Sequence, residues 1–103
     1  MVNKKFVFNT KVWLWPGFTG WHFVYVDKKI SDLIYKKIKE KKLKTSPNGL
    51  IPIKAKIGKT EWTTSLFPHK KENIYLIAIK KKVRKAEAIF DRDNVKISFW
   101  FFV

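Results

Sequence analysis

No cysteine occurs among the 103 residues of this chain, so no disulfide can brace it, and thiolate metal sets and cysteine nucleophiles are excluded. That lack fits a reducing compartment, and the chain reads as cytoplasmic. Histidine is almost as scarce, with His22 and His69 alone and far apart. No His-x-x-x-His or carboxylate spacing suggests zinc, and neither a metal nor a cofactor is implied. Arginine is confined to Arg84 and Arg92 among 23 basic residues, although it is the side chain suited to bidentate recognition of phosphates and bases. No apolar run approaches the roughly 20 residues of a membrane span. The basic stretch Met1-Val2-Asn3-Lys4-Lys5 leads into alternation with Asn9, Thr10 and Lys11 rather than the unbroken apolar core of a signal peptide, so no membrane partner is expected.

What is present is charge and aromatic bulk. The net charge is +15, and nine Phe and five Trp supply a core for one domain over residues 1–103. Such a surface attracts polyanions and speeds their encounter. The lysine-rich, arginine-poor balance also matches the codon bias of an AT-rich genome, so the charge alone does not separate a nucleic-acid partner from a solvated surface.

A phrase is said twice. Val24-Tyr25-Val26-Asp27-Lys28-Lys29-Ile30-Ser31-Asp32-Leu33 is echoed by Ile77-Ala78-Ile79-Lys80-Lys81-Lys82-Val83-Arg84-Lys85-Ala86. Each copy runs from a short strand straight into a helix, which predicts two similar halves closing one small barrel. Around them, residues 5–15 alternate as a strand that Trp15-Pro16-Gly17 breaks, and Gly20 to Val26 forms a second strand after a hairpin-sized loop. A helix from Lys28 to Leu43 follows, with Asp27 as its N-cap and a basic C-terminal end, and Ser46-Pro47-Asn48-Gly49 stops it. Leu50 to Ile57 and Glu61 to Phe67 flank a Gly58-Lys59-Thr60 turn, and Pro68 is expected to end the second of these strands. Ile74 to Ile79, a short helix over Lys81 to Ala88, and a last strand from Val95 to Val103 complete six strands and two helices. The expected class is mainly β: a β-barrel with small α caps and an internal pseudo-repeat. In the last strand Trp100 and Phe102 make the second face apolar as well, as Val7, Trp13 and Trp15 do in the first. Burial of these faces is the expectation, because a closed sheet protects its edges.

Four ordered motifs then carry a resemblance. Trp13-x-x-Pro16-Gly17, Gly20-Trp21-His22-Phe23-Val24, Trp62-Thr63-Thr64-Ser65-Leu66 and Val83-Arg84-Lys85-Ala86 resemble the pattern of the bacterial domain-of-unknown-function family DUF1905. The resemblance implies a double-split β-barrel and brings no activity with it. The second half also resembles the AbrB/MazE-like transcription-regulator unit at Ile79, Lys81, Val83, Arg84, Ile89, Asp93 and Val95. It departs from that pattern where Glu87 and Ala88 replace Leu-Gly and Arg92 replaces a turn glycine, departures that imply a different local turn. Such units pair as dimers to build one barrel, whereas this chain carries both halves, so a monomer or weak homodimer is expected.

No serine lies in a Gly-x-Ser-x-Gly elbow, Gly17 and Gly20 build no phosphate loop, and the eight carboxylates form no convergent pair. The chain therefore reads as a non-catalytic binding module. One candidate site is the aromatic and polar set Trp13, Trp21, His22, Trp62 and Thr64, suited to a small-molecule ligand or a protein partner; the competing reading places these tryptophans in the core. The alternative is a nucleic-acid site on Lys80, Lys81, Lys82, Arg84 and Lys85, against a plain solvated lysine face. Arg84 is also placed to pair with Asp27, Asp32 or Asp93.

Overall fold

The computed structural model describes residues 4–14, 21–69 and 71–101. Among them the chain runs β1 (Phe6–Leu14), β2 (His22–Tyr25), α1 (Lys28–Lys39), β3 (Ile51–Ile57), β4 (Thr60–His69), β5 (Ile74–Ala78), α2 (Lys81–Glu87) and β6 (Asn94–Phe101). The strands close on themselves in the order β1-β2-β5-β4-β3-β6, every pairing antiparallel. Period-two alternation does the sorting: Ile51, Ile53, Ala55 and Ile57 of β3 and Ile97 and Phe99 of β6 fill the barrel while their neighbours face out. Removing these side chains from water supplies the main driving force for closure.

Two strands are long enough to serve two sheets. β1 pairs with β6 from Phe6 to Lys11 and with β2 from Val12 to Leu14. β4 pairs with β3 from Thr60 to Leu66 and with β5 from Phe67 to His69. These changes of partner are the two splits of a double-split barrel. Val12 and Leu66, at the changeovers, are both wholly buried. Thr10 Oγ1 donates to Tyr25 O (3.1 Å) beside the first split.

The repeat extends beyond the phrase that revealed it, because each half is β-β-α-β. Val24 and Ile77, the first residues of the two copies, are directly paired across β2 and β5, so a pseudo-twofold axis passes between them. Hydrogen bonds obey it: Val26 N donates to Tyr75 O (2.8 Å) and Ile79 N to His22 O (2.9 Å). Ser31 N donates to Asp27 O (2.8 Å) and Arg84 N to Lys80 O (3.0 Å).

The structure corrects several expected boundaries. The helix stops at Lys39 rather than Leu43. Lys41 turns left-handed (φ 60°), and Lys41 N and Lys42 N fold back onto Ile38 O and Lys37 O (3.0 and 2.9 Å), a Schellman closure made with lysine where glycine is usual. Pro68 does not end β4; it sits inside, opposite Tyr75. β3 has ended by then, its last partner being Leu66, so the missing N–H costs no ladder bond on that side. The outer face of β1 is not buried: Val7 and Trp13 are 47% and 40% exposed. In β6 Trp100 is half-buried with Lys5 Nζ 5.3 Å from its ring centre. Gly20 and the preceding Pro16–Gly20 loop, Trp15, Phe102 and Val103 lie outside the described residues. Ala88 and Arg92 take the left-handed backbone (φ 52° and 73°), a conformation that favours glycine.

Two interactions make the packing testable. The β3–β4 hairpin turns at Gly58 (φ 58°), where an added Cβ would fall on the Glu87 carboxylate of α2. That carboxylate holds the hairpin, accepting from Thr60 Oγ1 (2.6 Å) and Lys59 N (3.4 Å). Gly58→Ala should cost about 1–3 kcal/mol from backbone strain plus a steric part. In a denaturant double-mutant cycle the substitution should cost less in a Glu87→Ala background; equal costs in both backgrounds would remove the proposed contact. Trp62 faces into the barrel, 8% exposed, and its Nε1–H meets no acceptor among the described residues. Phe8, four residues before the buried Val12 as Trp62 is before Leu66, holds the matching place in β1. Trp62→Phe, which removes the orphan donor, should therefore stay within about 1 kcal/mol of the parent, and Trp62→Ala should lose about 3–5 kcal/mol. Equal losses in urea titration would show that the indole N–H is satisfied after all.

Candidate functional site

The pseudo-twofold relates two places at the ends of β2 and β5, and the sequence fills them differently. In the first half Ser31 and Tyr75 occupy it, 0% and 1% exposed. Ser31 Oγ donates to Val26 O (3.3 Å) and accepts from Tyr75 N (3.2 Å), and the Tyr75 ring stacks on Tyr35 of α1 with centres 4.7 Å apart. In the second half the repeat puts Arg84 where Ser31 stands and His22 where Tyr75 stands. Arg84 Nε donates to Ile79 O (3.3 Å), the same bond that Ser31 makes to Val26. α2 ends at Glu87 after seven residues against twelve in α1, so the place of Tyr35 falls on Ala88, just past the end of the helix. What remains is an open cleft of about 580 Å³ walled by Trp21, His22, Lys80, Lys81 and Arg84, with Ala78 and Ile79 at its back.

This cleft joins the two candidate sets and divides each of them. Trp21 and His22 come from the aromatic set; Lys80, Lys81 and Arg84 come from the basic one. Trp21 is 45% exposed, and its ring meets Phe67 edge-on at 6.2 Å. His22 and Arg84 are half-buried, and Lys80 and Lys81 are exposed. Trp62 and Thr64 are not in the cleft walls: both face inward on β4, Trp62 opposite Ala55 and Thr64 opposite Ile53. Trp13 lies apart on β1, paired with Phe23. Lys82 and Lys85 are exposed on α2 and do not line the cleft. The expected carboxylate partners of Arg84 have other engagements: Asp27 accepts from Lys29 N (3.1 Å) and Ile30 N (3.4 Å), Asp32 meets Lys28 (3.0 Å) and Asp93 accepts from Phe90 N (2.8 Å). His69 accepts from Glu72 N through Nδ1 (3.2 Å) and packs against Tyr25. No group of three metal-capable side chains occurs among the described residues.

The contrast at the helix starts is electrostatic. Asp27 caps α1 with its carboxylate, whereas Lys80, its counterpart, begins α2 with no side-chain cap bond and is followed by two more lysines. Positive charge at a helix N-terminus opposes the macrodipole, so these lysines stand where they cost stability. By contrast Lys36, Lys37 and Lys39 close α1 at the favourable end. A second cavity, about 460 Å³ beside Tyr35 and Tyr75, is walled by Thr45, Pro47, Asn48 and Asn73 among others, with no charged side chain among the described residues.

The filled half has its own pH signature. Burial pushes both the Tyr35 and Tyr75 phenols above the ordinary value of 10.0, and for Tyr75 the neighbouring Tyr35 adds to the rise. A phenol that ionises later in the folded chain than in the unfolded one stabilises the fold fully below about pH 10. That contribution is lost as pH climbs through the folded values. Urea midpoints should fall between about pH 9 and pH 12, and Tyr75→Phe should flatten the fall; an identical slope in the variant would assign the alkaline loss to other groups.

The comparisons bear on this architecture. No helix among the described residues is long and apolar enough to cross a membrane. A search of curated proteins finds no match. A family model described as a domain of unknown function (DUF1905) matches residues 8–99, a span that runs from within β1 to within β6 and takes in the whole cleft. The chain therefore belongs to the DUF1905 domain family.

Proposed function

We propose that the chain is a small, cytoplasmic, non-catalytic binding module whose ligand occupies the Trp21–His22–Lys80–Lys81–Arg84 cleft. The observation that carries this reading is the broken pseudo-symmetry. One copy of a repeated corner is filled by Ser31 and the Tyr75–Tyr35 stack, and the cavity beside it has no charged wall among the described residues; the other copy opens a cleft of about 580 Å³ bearing three cations. Cavities that hold ligands combine apolar walls with a few convergent polar groups. Here Ile79, Ala78 and the Trp21 ring supply the wall, and Lys80, Lys81 and Arg84 supply positive charge from one side. The ligand class this favours is an anion that carries a flat or apolar part: the anion on the lysines, the flat part on the indole.

The role of each side chain follows from its anchoring. Arg84, tied by Nε to Ile79 O, fixes one wall. Lys80 and Lys81 are exposed and confer charge without a set geometry, as expected of flexible ammonium groups. The Phe67 contact orients Trp21.

Adenosine monophosphate and inorganic phosphate are suitable probes, read by intrinsic tryptophan fluorescence at low salt. The nucleotide should quench fluorescence saturably and bind at least several-fold tighter than phosphate, because only it engages the ring. Lys80→Ser with Lys81→Ser should weaken it about 5- to 30-fold, taking roughly 0.5–1 kcal/mol for each exposed cation contact. Lys82→Ser with Lys85→Ser should change it less than twofold. Equal effects of the two pairs would reduce the site to general surface charge.

A further inference from the structure

The cleft does not end at its own walls. Ala78, at its back, is paired with Phe23, and Phe23 with Trp13, so one outward-facing row crosses β5, β2 and β1. Phe23 is buried at 5% exposure, but the row begins beside exposed Trp21 (45%) and finishes on exposed Trp13 (40%). Lys11 Nζ lies 5.7 Å from the centre of the Trp13 ring. Two interstrand steps of about 4.8 Å separate the ends of this row, which is more than one base with its phosphate covers. Asp91 accepts from Leu14 N (3.0 Å), the residue after Trp13.

Resting on the reading of the cleft as an anion site, we propose that the ligand is single-stranded nucleic acid. It spans from Trp21 and the Lys80–Lys81–Arg84 cleft to Trp13 and Lys11, stacking on the two exposed ends of the row and not on the buried Phe23 between them. Charge complementarity selects the class of occupant: the chain carries +15 overall, and the row has cations at both ends. Exposed indoles select single strands over duplex, because only an unpaired strand offers base faces for stacking. Phosphates at regular intervals then match a lysine-bearing cleft at one end and Lys11 at the other. The scarcity of arginine acquires a meaning on this surface. Without bidentate guanidinium contacts to base edges, and with stacking that every base can supply, recognition is indifferent to sequence.

The test is fluorescence anisotropy with labelled thymidine and adenosine oligomers of about ten nucleotides, within the usual site size of one small barrel. It is run between about 50 and 200 mM salt, with the duplex of the same length alongside. The oligomers should bind at least tenfold tighter than adenosine monophosphate and tighter than the duplex, with similar affinity for the two sequences. Trp13→Leu and Trp21→Leu should each weaken the oligomer about 5- to 100-fold, while Trp13→Tyr, which keeps a flat ring, should retain most of the affinity and guards against misfolding. Lys80→Ser with Lys81→Ser should flatten the log–log salt slope by about 1.4, the value for two phosphates on a single strand. Oligomer affinity no better than that of the mononucleotide overturns the single-strand inference and leaves the cleft reading standing. Loss of both overturns both. Duplex binding as tight as single-strand binding, with Trp13→Leu silent, overturns the inference in favour of plain charge attraction.

Discussion

Because β1 and β4 are each long enough to belong to two sheets, the barrel can close with only six strands. The physical constraint is at the changeover: a strand that leaves one partner for another must keep its inward alternation unbroken, or every later side chain would reverse face. Val12 and Leu66 meet that demand as wholly buried residues. On either side of them the inward positions of β1 and β4 match, Phe8 answering to Trp62. Everything else hangs from these two strands. β2 and β5, held between their far ends, are short and pair through Val24 and Ile77, and that pairing places the two helix starts in equivalent surroundings. The cleft exists because the same backbone plan is executed twice with different side chains.

Seen this way, the site is a departure from symmetry rather than an addition to the fold. A serine hydroxyl both donates and accepts, and Ser31 uses both capacities to knit Val26 and Tyr75 into a buried corner. A guanidinium can only donate, so Arg84 keeps the bond to the Ile79 carbonyl and cannot reproduce the other. Its bulk and charge also oppose the burial that Ser31 reaches, since taking a charge out of water is costly. The shorter α2 completes the difference. One corner contributes to stability through packing of Tyr75 under Tyr35; the other gives up that packing and gains positive charge.

Much of the fold was legible. The repeated phrase fixed attention on two halves, the Asp27 cap lies where its carboxylate was expected, and Gly58 turns the β3–β4 hairpin. Features governed by tertiary context were not legible. Nothing local says that β3 ends before Pro68 is reached, which is what lets a proline sit inside β4. Nothing local says that Lys41 will accept a left-handed backbone and close α1 early. The candidate residues show the same limit. Trp21 and His22 could be named, and so could Lys80, Lys81 and Arg84, but their meeting depends on the β2–β5 register, which periodicity does not reveal. Trp62 and Trp13 look alike in sequence; inward and outward parity on two different strands sends one to the core and the other to the surface. Aligning the two copies residue by residue, so that Arg84 falls on Ser31, was the signal available for finding the cleft.

The lysine content can be weighed in the same terms. A codon bias toward lysine spreads charge without regard to local cost, and it predicts no difference between one exposed helix end and another. The two helices do differ. In α1 the N-cap is acidic and the lysines gather in the last turn, where they favour the helix. In α2 three lysines crowd the start, where they oppose it, and the corresponding aspartate is gone. Composition accounts for how many lysines there are; it does not account for their concentration at the end of the fold where they are least favourable. That end is also where the packed corner of the first half opens into a cleft. The two departures from symmetry, one of shape and one of charge, coincide on the same few residues, and that coincidence is what separates this patch from the rest of a basic surface.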